Sequence, residues 1–174
     1  MRFLLSLLLL IGIAGSARSE QVGLRPPASM VELRSYGFGL IPLDGKFTRF
    51  QGWMSYDPAN PGACQVVLGI EARSLEMSSD AIRDRIVGPD MMDVARYPDL
   101  AFHGTCHGPT VVGELTMHGQ THPVTLDFMR SAGTIEATGR IRRTDWGITG
   151  SPLIGGSMIR IRVVVPDPIS GSRT

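Results

Sequence analysis

The sequence predicts a mainly β chain of eight antiparallel strands, with one short helical insertion between the third and the fourth. Three observations carry this. Past residue 20, short stretches alternate apolar and polar side chains at period two, the repeat of a half-buried strand. The 21 Gly and 12 Pro among 174 residues punctuate those stretches, as a chain that turns often requires. In one place the apolar spacing lengthens to four, and there Ser and Asp stand where a helix would be capped.

The first stretch runs from Met30 to Phe38 and the second from Lys46 to Tyr56. The third, Cys64 to Ser74, sets Val66, Leu68, Ile70 and Ala72 on one face. Next, Ser78-Ser79-Asp80 caps a helix over Ala81 to Val87, with Ile82 and Ile86 on one side. Gly88-Pro89 breaks it, and Asp90 caps a second short helix through Met91, Met92 and Ala95, stopped by Tyr97-Pro98. The fourth strand is Leu100 to Cys106, closed by Gly108-Pro109. Val111, Gly113, Leu115 and Met117 mark the fifth, and Val124, Leu126 and Phe128 the sixth. Ile135, Ala137, Gly139 and Ile141 mark the seventh; Ile159, Ile161, Val163 and Val165 mark the last.

Eight such strands close most simply into a barrel, because closure removes both exposed edges; a sandwich of two sheets satisfies the same alternation. A barrel of that size is either filled by its own side chains or holds one small ligand. The inward set is almost wholly aliphatic, with Gly104, Gly113 and Gly139 leaving gaps. Periodicity leaves both readings open, a long apolar cavity and an ordinary packed core. Met91, Met92 and Met117 suit either, since flexible thioethers adapt to a kinked chain and also fill cores.

Arg2 precedes an apolar run from Phe3 to Ala14, followed by small residues at Gly15, Ser16, Ala17 and Ser19. That is the pattern of a secretory signal peptide over 1–19, too short to span a bilayer. The expected product is exported, with a barrel over 20–166 and a flexible tail over 167–174. Formal charge is +1, from 17 basic against 16 acidic residues, which excludes a bulk basic field for nucleic acid. No second apolar run reaches membrane length, so no integral span is expected.

Several segments together resemble the YceI-like family of periplasmic polyisoprenoid-binding proteins. Gly45-Lys46-Phe47-Thr48-Arg49-Phe50-Gln51-Gly52 is similar to its G-x-F-x-x-F-x-G strand, and Ile70-Glu71-Ala72-Arg73-Ser74 to its I-x-x-x-S strand. Arg83-Asp84 followed by Tyr97-Pro98-Asp99-Leu100-Ala101-Phe102 resembles its R-D helix and Y-P-x-x-x-F. Gly113-Glu114-Leu115-Thr116-Met117-His118-Gly119-Gln120-Thr121-His122-Pro123-Val124 resembles G-x-L-T-x-x-G-x-T-x-P-V, the most specific stretch. Ile141-Arg142-Arg143-Thr144-Asp145-Trp146-Gly147 is similar to the closing I-x-R-x-D-F-G. Many members carry a His in the first strand; here that region reads Tyr36-Gly37-Phe38-Gly39, so no head-group contact carries over from it.

The resemblance implies a lipocalin-like barrel that holds an isoprenoid quinone or a polyprenyl lipid, with no further cofactor. The apolar faces and the insertion then nominate Phe38, Phe47, Phe50, Val66, Leu68, Ile70, Ile82, Ile86, Met91, Met92, Phe102, Leu115, Met117, Leu126, Phe128 and Ile141 as the lipid-binding lining. A tryptophan at Leu68 or Gly113 is expected to block it without unfolding the chain. A homodimer and an envelope accessory protein acting through protein partners stay open as alternatives.

Other chemistry is weighed from the residues alone. If the fourth and fifth strands form a hairpin, His103 lies opposite Glu114 and His107 opposite Thr110. His118 is then some 13 Å away along the sheet, at ~3.3 Å per residue, so one Zn²⁺ cannot collect them and no metal is expected. Pairing the third strand with the fourth brings Cys64 against Cys106, a disulfide in an oxidising compartment or a pair of buried thiols. There is no G-x-S-x-G nucleophile elbow, and the P-loop outline at Gly150–Ser157 lacks its Lys, so no catalysis is expected. Arg140, Arg142, Arg160 and Arg162 point outward on the last two strands, toward solvent or an anionic lipid surface.

Overall fold

The computed structural model describes residues 20–57, 60, 63–151 and 155–168. The signal peptide expected over 1–19 lies outside the described residues, as does the tail beyond 168. The described chain is one antiparallel sheet of eleven strands and one short α-helix. The strands are β1 (Glu20–Leu24), β2 (Met30–Gly37), β3 (Ile41–Phe47), β4 (Phe50–Tyr56), β5 (Gln65–Glu71), β6 (Leu75–Met77), β7 (Asp99–His107), β8 (Thr110–Met117), β9 (Gln120–Ser131), β10 (Thr134–Arg142) and β11 (Met158–Pro166). The helix, α1 (Asp80–Val87), falls between β6 and β7. Strand order is β1-β4-β5-β7-β8-β9-β10-β11-β2-β3-β6, so the sheet keeps two ends and curls into a barrel-like shape.

The count of eight is corrected to eleven, for local reasons. Five residues at β1 and three at β6 are too few to display a period. The stretch read as one strand from Lys46 to Tyr56 is two: Thr48 and Arg49 turn a corner, so that Phe47 and Phe50, three residues apart, are both buried. A 3₁₀ turn over Ala72–Ser74 makes the matching corner between β5 and β6. The corners bind each other: the Thr48 amide and hydroxyl both donate to the Ser74 carbonyl, at 3.2 and 3.1 Å. The Ser74 hydroxyl donates to the Arg49 carbonyl at 3.2 Å, and Arg49 pairs with Glu71 outside. Since β4 pairs with β5 and β3 with β6, the two bent segments tie opposite ends of the strand order together.

Ser79 caps α1, its hydroxyl accepting from the Ile82 amide at 3.4 Å, and Asp80 complements the helix dipole in the first turn. Arg83 straps the helix down by donating to the Leu75 and Arg73 carbonyls, both at 3.0 Å. The second helix expected from Asp90 is absent. Residues 88–97 form successive turns, and Asp93 at φ 45° stands where no right-handed helix can pass.

The hairpin registers set the inward faces. Val66 lies opposite Gly104 and Leu68 opposite Phe102, while His103 faces Glu114 and His107 faces Thr110. His118 and Gly119, at φ 51° and 73°, form the tight turn between β8 and β9.

Candidate functional site

The buried side chains of all these strands meet in one apolar interior, which holds two chambers. The larger, about 120 Å³, lies toward α1 and the segment joining β10 to β11. Phe47, Ile70, Leu115, Met117 and Ile141 line its walls, with Ile86 of α1 and Met91 and Met92 of the following turns. The smaller, about 70 Å³, lies toward the opposite rim, among Met54, Cys64, Val66, Cys106, Phe128 and Val165. Leu68, Phe102, Leu126 and Val163 belong to both linings and form the partition.

Glycines seat the partition. A Cβ on Gly104 would lie 2.8 Å from the Phe102 ring, and one on Gly113 2.7 Å from it. Gly104 and Gly113 are cross-strand partners, so the ring rests on a patch of bare backbone. Gly139 likewise receives Leu126, whose Cδ2 would meet an added Cβ at 2.5 Å. The gaps expected at these three glycines are therefore filled by two of the dividing side chains, Phe102 and Leu126. Gly113 is no place for a blocking residue either: any Cβ there would strike the His103 carbonyl, so Gly113→Trp is expected to unfold the hairpin.

Most of the nominated lining faces the chambers, and three residues do not. Phe38 sits in the β2–β3 turn at 65% exposure, where a strand reading had turned it inward. Ile82 lies beside it in an outer groove with Ile41, Leu43 and Arg85, one helical turn before Ile86, which reaches the larger chamber. Phe50 is buried in the core but borders neither chamber, since it starts β4 just past the corner. Residues not nominated also line the space, among them Val31, Leu33, Val111, Val124 and Ile135. Their strands had been recognised, and the alternation in β2 and β8 was the signal that would have added them. Cys64 and Cys106 form a disulfide, with Cα atoms 4.8 Å apart, on the rim of the smaller chamber.

Arg143 was missed altogether. It is 3% exposed and borders the larger chamber, where the apolar pattern suggested no ionisable group. Its guanidinium donates to three carbonyls: Gly156 from Nε at 3.1 Å, Gly155 from Nη2 at 2.8 Å, and Ile148 from Nη1. Burial pushes its pKa down, yet a guanidinium starts so high that it stays charged. Arg143→Leu is expected to destabilise the fold by about 3 kcal/mol or more, since it leaves buried carbonyls unpaired. Urea denaturation checks this, and Arg143→Lys should restore only part.

Other residues of the recognised motifs serve the frame in the same way. Trp146, 2% exposed, donates from Nε1 to the Leu115 carbonyl at 3.0 Å, and its own carbonyl meets His118 Nδ1 at 3.0 Å. Tyr97 packs against His118 with ring centroids 4.5 Å apart and planes tilted by 56°, and covers Gly119.

Residues 24–166 match the YceI-like domain. The chain belongs to the YceI-like family. It is 31% identical over 163 residues to a UPF0312 protein of Yersinia pestis, covering 83% of this chain and 84% of that one. With a UPF0312 protein of Vibrio cholerae it shares 32% identity over 124 residues, 67% of this chain but just 65% of that relative's length. Solved structures share the YceI-like fold at lower identity. Burkholderia cenocepacia BcnA superposes with a TM-score of 0.64 at 21% identity, over 79% of this chain and 96% of that one. A polyisoprenoid-binding domain from Saccharophagus degradans does so at 0.60 and 15%, over 84% and 97%. Among the described residues, no helix of this YceI-like chain is long and apolar enough to cross a membrane.

Proposed function

We propose that this YceI-like chain is an exported, non-catalytic binding protein that holds an isoprenoid-type lipid, a polyprenyl chain or an isoprenoid quinone, inside its curled sheet. One observation carries the reading: the side chains of Leu68, Phe102, Leu126 and Val163 line both apolar chambers and stand between them. Side chains change rotamer without breaking sheet hydrogen bonds, so the partition can yield to a ligand while the sheet stays intact. Each CH₂ of a bound chain contributes roughly 0.8 kcal/mol of transfer free energy, which supplies affinity without a polar anchor. The polyisoprenoid-binding relative supports the same ligand class, and the signal-like N-terminus supports export to the periplasm.

A second reading is favoured by volume. Chambers of about 120 and 70 Å³ fall below the ~300 Å³ at which small-molecule sites begin, which suits an accessory protein with a filled core. Solvent extraction of the purified protein, with mass spectrometry and uptake of an added isoprenoid quinone, separates the two. The carrier reading expects a long-chain lipid in the extract or saturable uptake; neither would be seen with a filled core. Leu68→Trp, which crowds both chambers, is expected to cost ~1–3 kcal/mol and to abolish uptake.

A further inference from the structure

Among the described residues, the outer face of the sheet carries cations without counter-ions beside unburied apolar side chains. Arg140, Arg160 and Arg34 stand abreast across β10, β11 and β2, and Arg142 follows one rung on, opposite Met158. Like charges directly opposite each other destabilise a sheet. Arg34 is relieved by Asp44, its Nη2 lying 2.9 Å from Oδ2. Arg162, nearby, is held by Glu32 and Glu136 at 2.7 and 2.8 Å. Arg140, Arg142 and Arg160 are exposed and have no carboxylate partner among the described residues.

Next to this row, at the same end of the sheet, the β2–β3 turn holds apolar groups up to water. Leu40 is 85% exposed and Phe38 65%, and Tyr36 and Met158 are also exposed. The Tyr36 carbonyl accepts from the Gly156 amide at 2.9 Å, and Gly156 borders the larger chamber. Cationic row, apolar tip and chamber rim are therefore contiguous.

We propose that this face docks the chain on the surface of an anionic phospholipid bilayer. Arg140, Arg142 and Arg160 meet the phosphates, while Phe38 and Leu40 enter the head-group layer. Cations alone would suit any polyanion, but a nucleic acid offers nothing to an aliphatic tip. A lipid interface meets both chemistries at the depth each requires. Docking does not rest on the lipid-cargo reading, since a chain with a filled interior would bind in the same way; it adds a route by which cargo reaches the larger chamber.

Sedimentation with vesicles of phosphatidylcholine, with and without phosphatidylglycerol, tests this on the chain as purified from cells. The wild type is expected to favour anionic vesicles and to lose that preference as salt rises. The triple variant Arg140→Gln, Arg142→Gln, Arg160→Gln is expected to lose roughly five-fold in partitioning per charge removed. Phe38→Ser with Leu40→Ser should weaken the binding that survives high salt. Circular dichroism confirms the fold of each variant, all of whose sites are exposed. Equal binding to both vesicle types, an unaltered triple variant, or tight binding to heparin with none to vesicles would overturn the proposal.

Discussion

Phe102→Ala is expected to lower folding stability by about 3–5 kcal/mol and, at the same time, to raise the uptake of long-chain lipid. The two effects have one cause. The ring fills the space above Gly104 and Gly113 and belongs to the linings of both chambers. Removing it forfeits its buried contacts and leaves a void that the flat glycine patch cannot close, because no side chain there can move in. The same void joins the chambers into one longer apolar space. Guanidinium denaturation reads the first effect and titration with an isoprenoid quinone the second. Lower stability with unchanged uptake would show that the partition does not limit binding; unchanged stability would mean that the ring is not packed as described.

Breaking the Cys64–Cys106 bridge is expected to cost about 4 kcal/mol. The bridge spans 42 residues of sequence, a loop that takes in β6, α1 and the turns that line the larger chamber. Releasing that loop in the unfolded chain raises its entropy, and the native pairing of β5 with β7 must oppose it alone. Denaturation with and without reductant, repeated on Cys64→Ser with Cys106→Ser, measures the difference. A loss below ~1 kcal/mol would sink the expectation. So would two reactive thiols in the unfolded, unreduced protein.

The strand faces were legible because side-chain alternation is local: Leu115 and Met117 reveal their inward direction within β8 alone. The Cys64–Cys106 register was legible too, since one pairing of two strands determines it. The corner at Thr48–Arg49 left only a local trace: two successive polar residues between Phe47 and Phe50 break the period, but the turn itself is held by Ser74, 26 residues on. Phe38 was misplaced because its apolar side chain outweighed its parity: counted from Val31 and Leu33, it falls on the outer face with Arg34 and Tyr36. Arg143 lay hidden because its partners are carbonyls of Ile148, Gly155 and Gly156, and every residue has a carbonyl.

Read alone, the sequence determined that the chain is mainly β, which residues face inward along most strands, and which cysteines can meet. Each of these follows from a repeat of two or from the register of one strand pair. The tertiary structure alone decided that the sheet has eleven strands with two ends, and that its interior is two chambers instead of one cavity. It also brought together three unpaired arginines and an exposed apolar turn. Such features depend on strands far apart in sequence and on side-chain volumes that meet only when the sheet curls, and no local period encodes them.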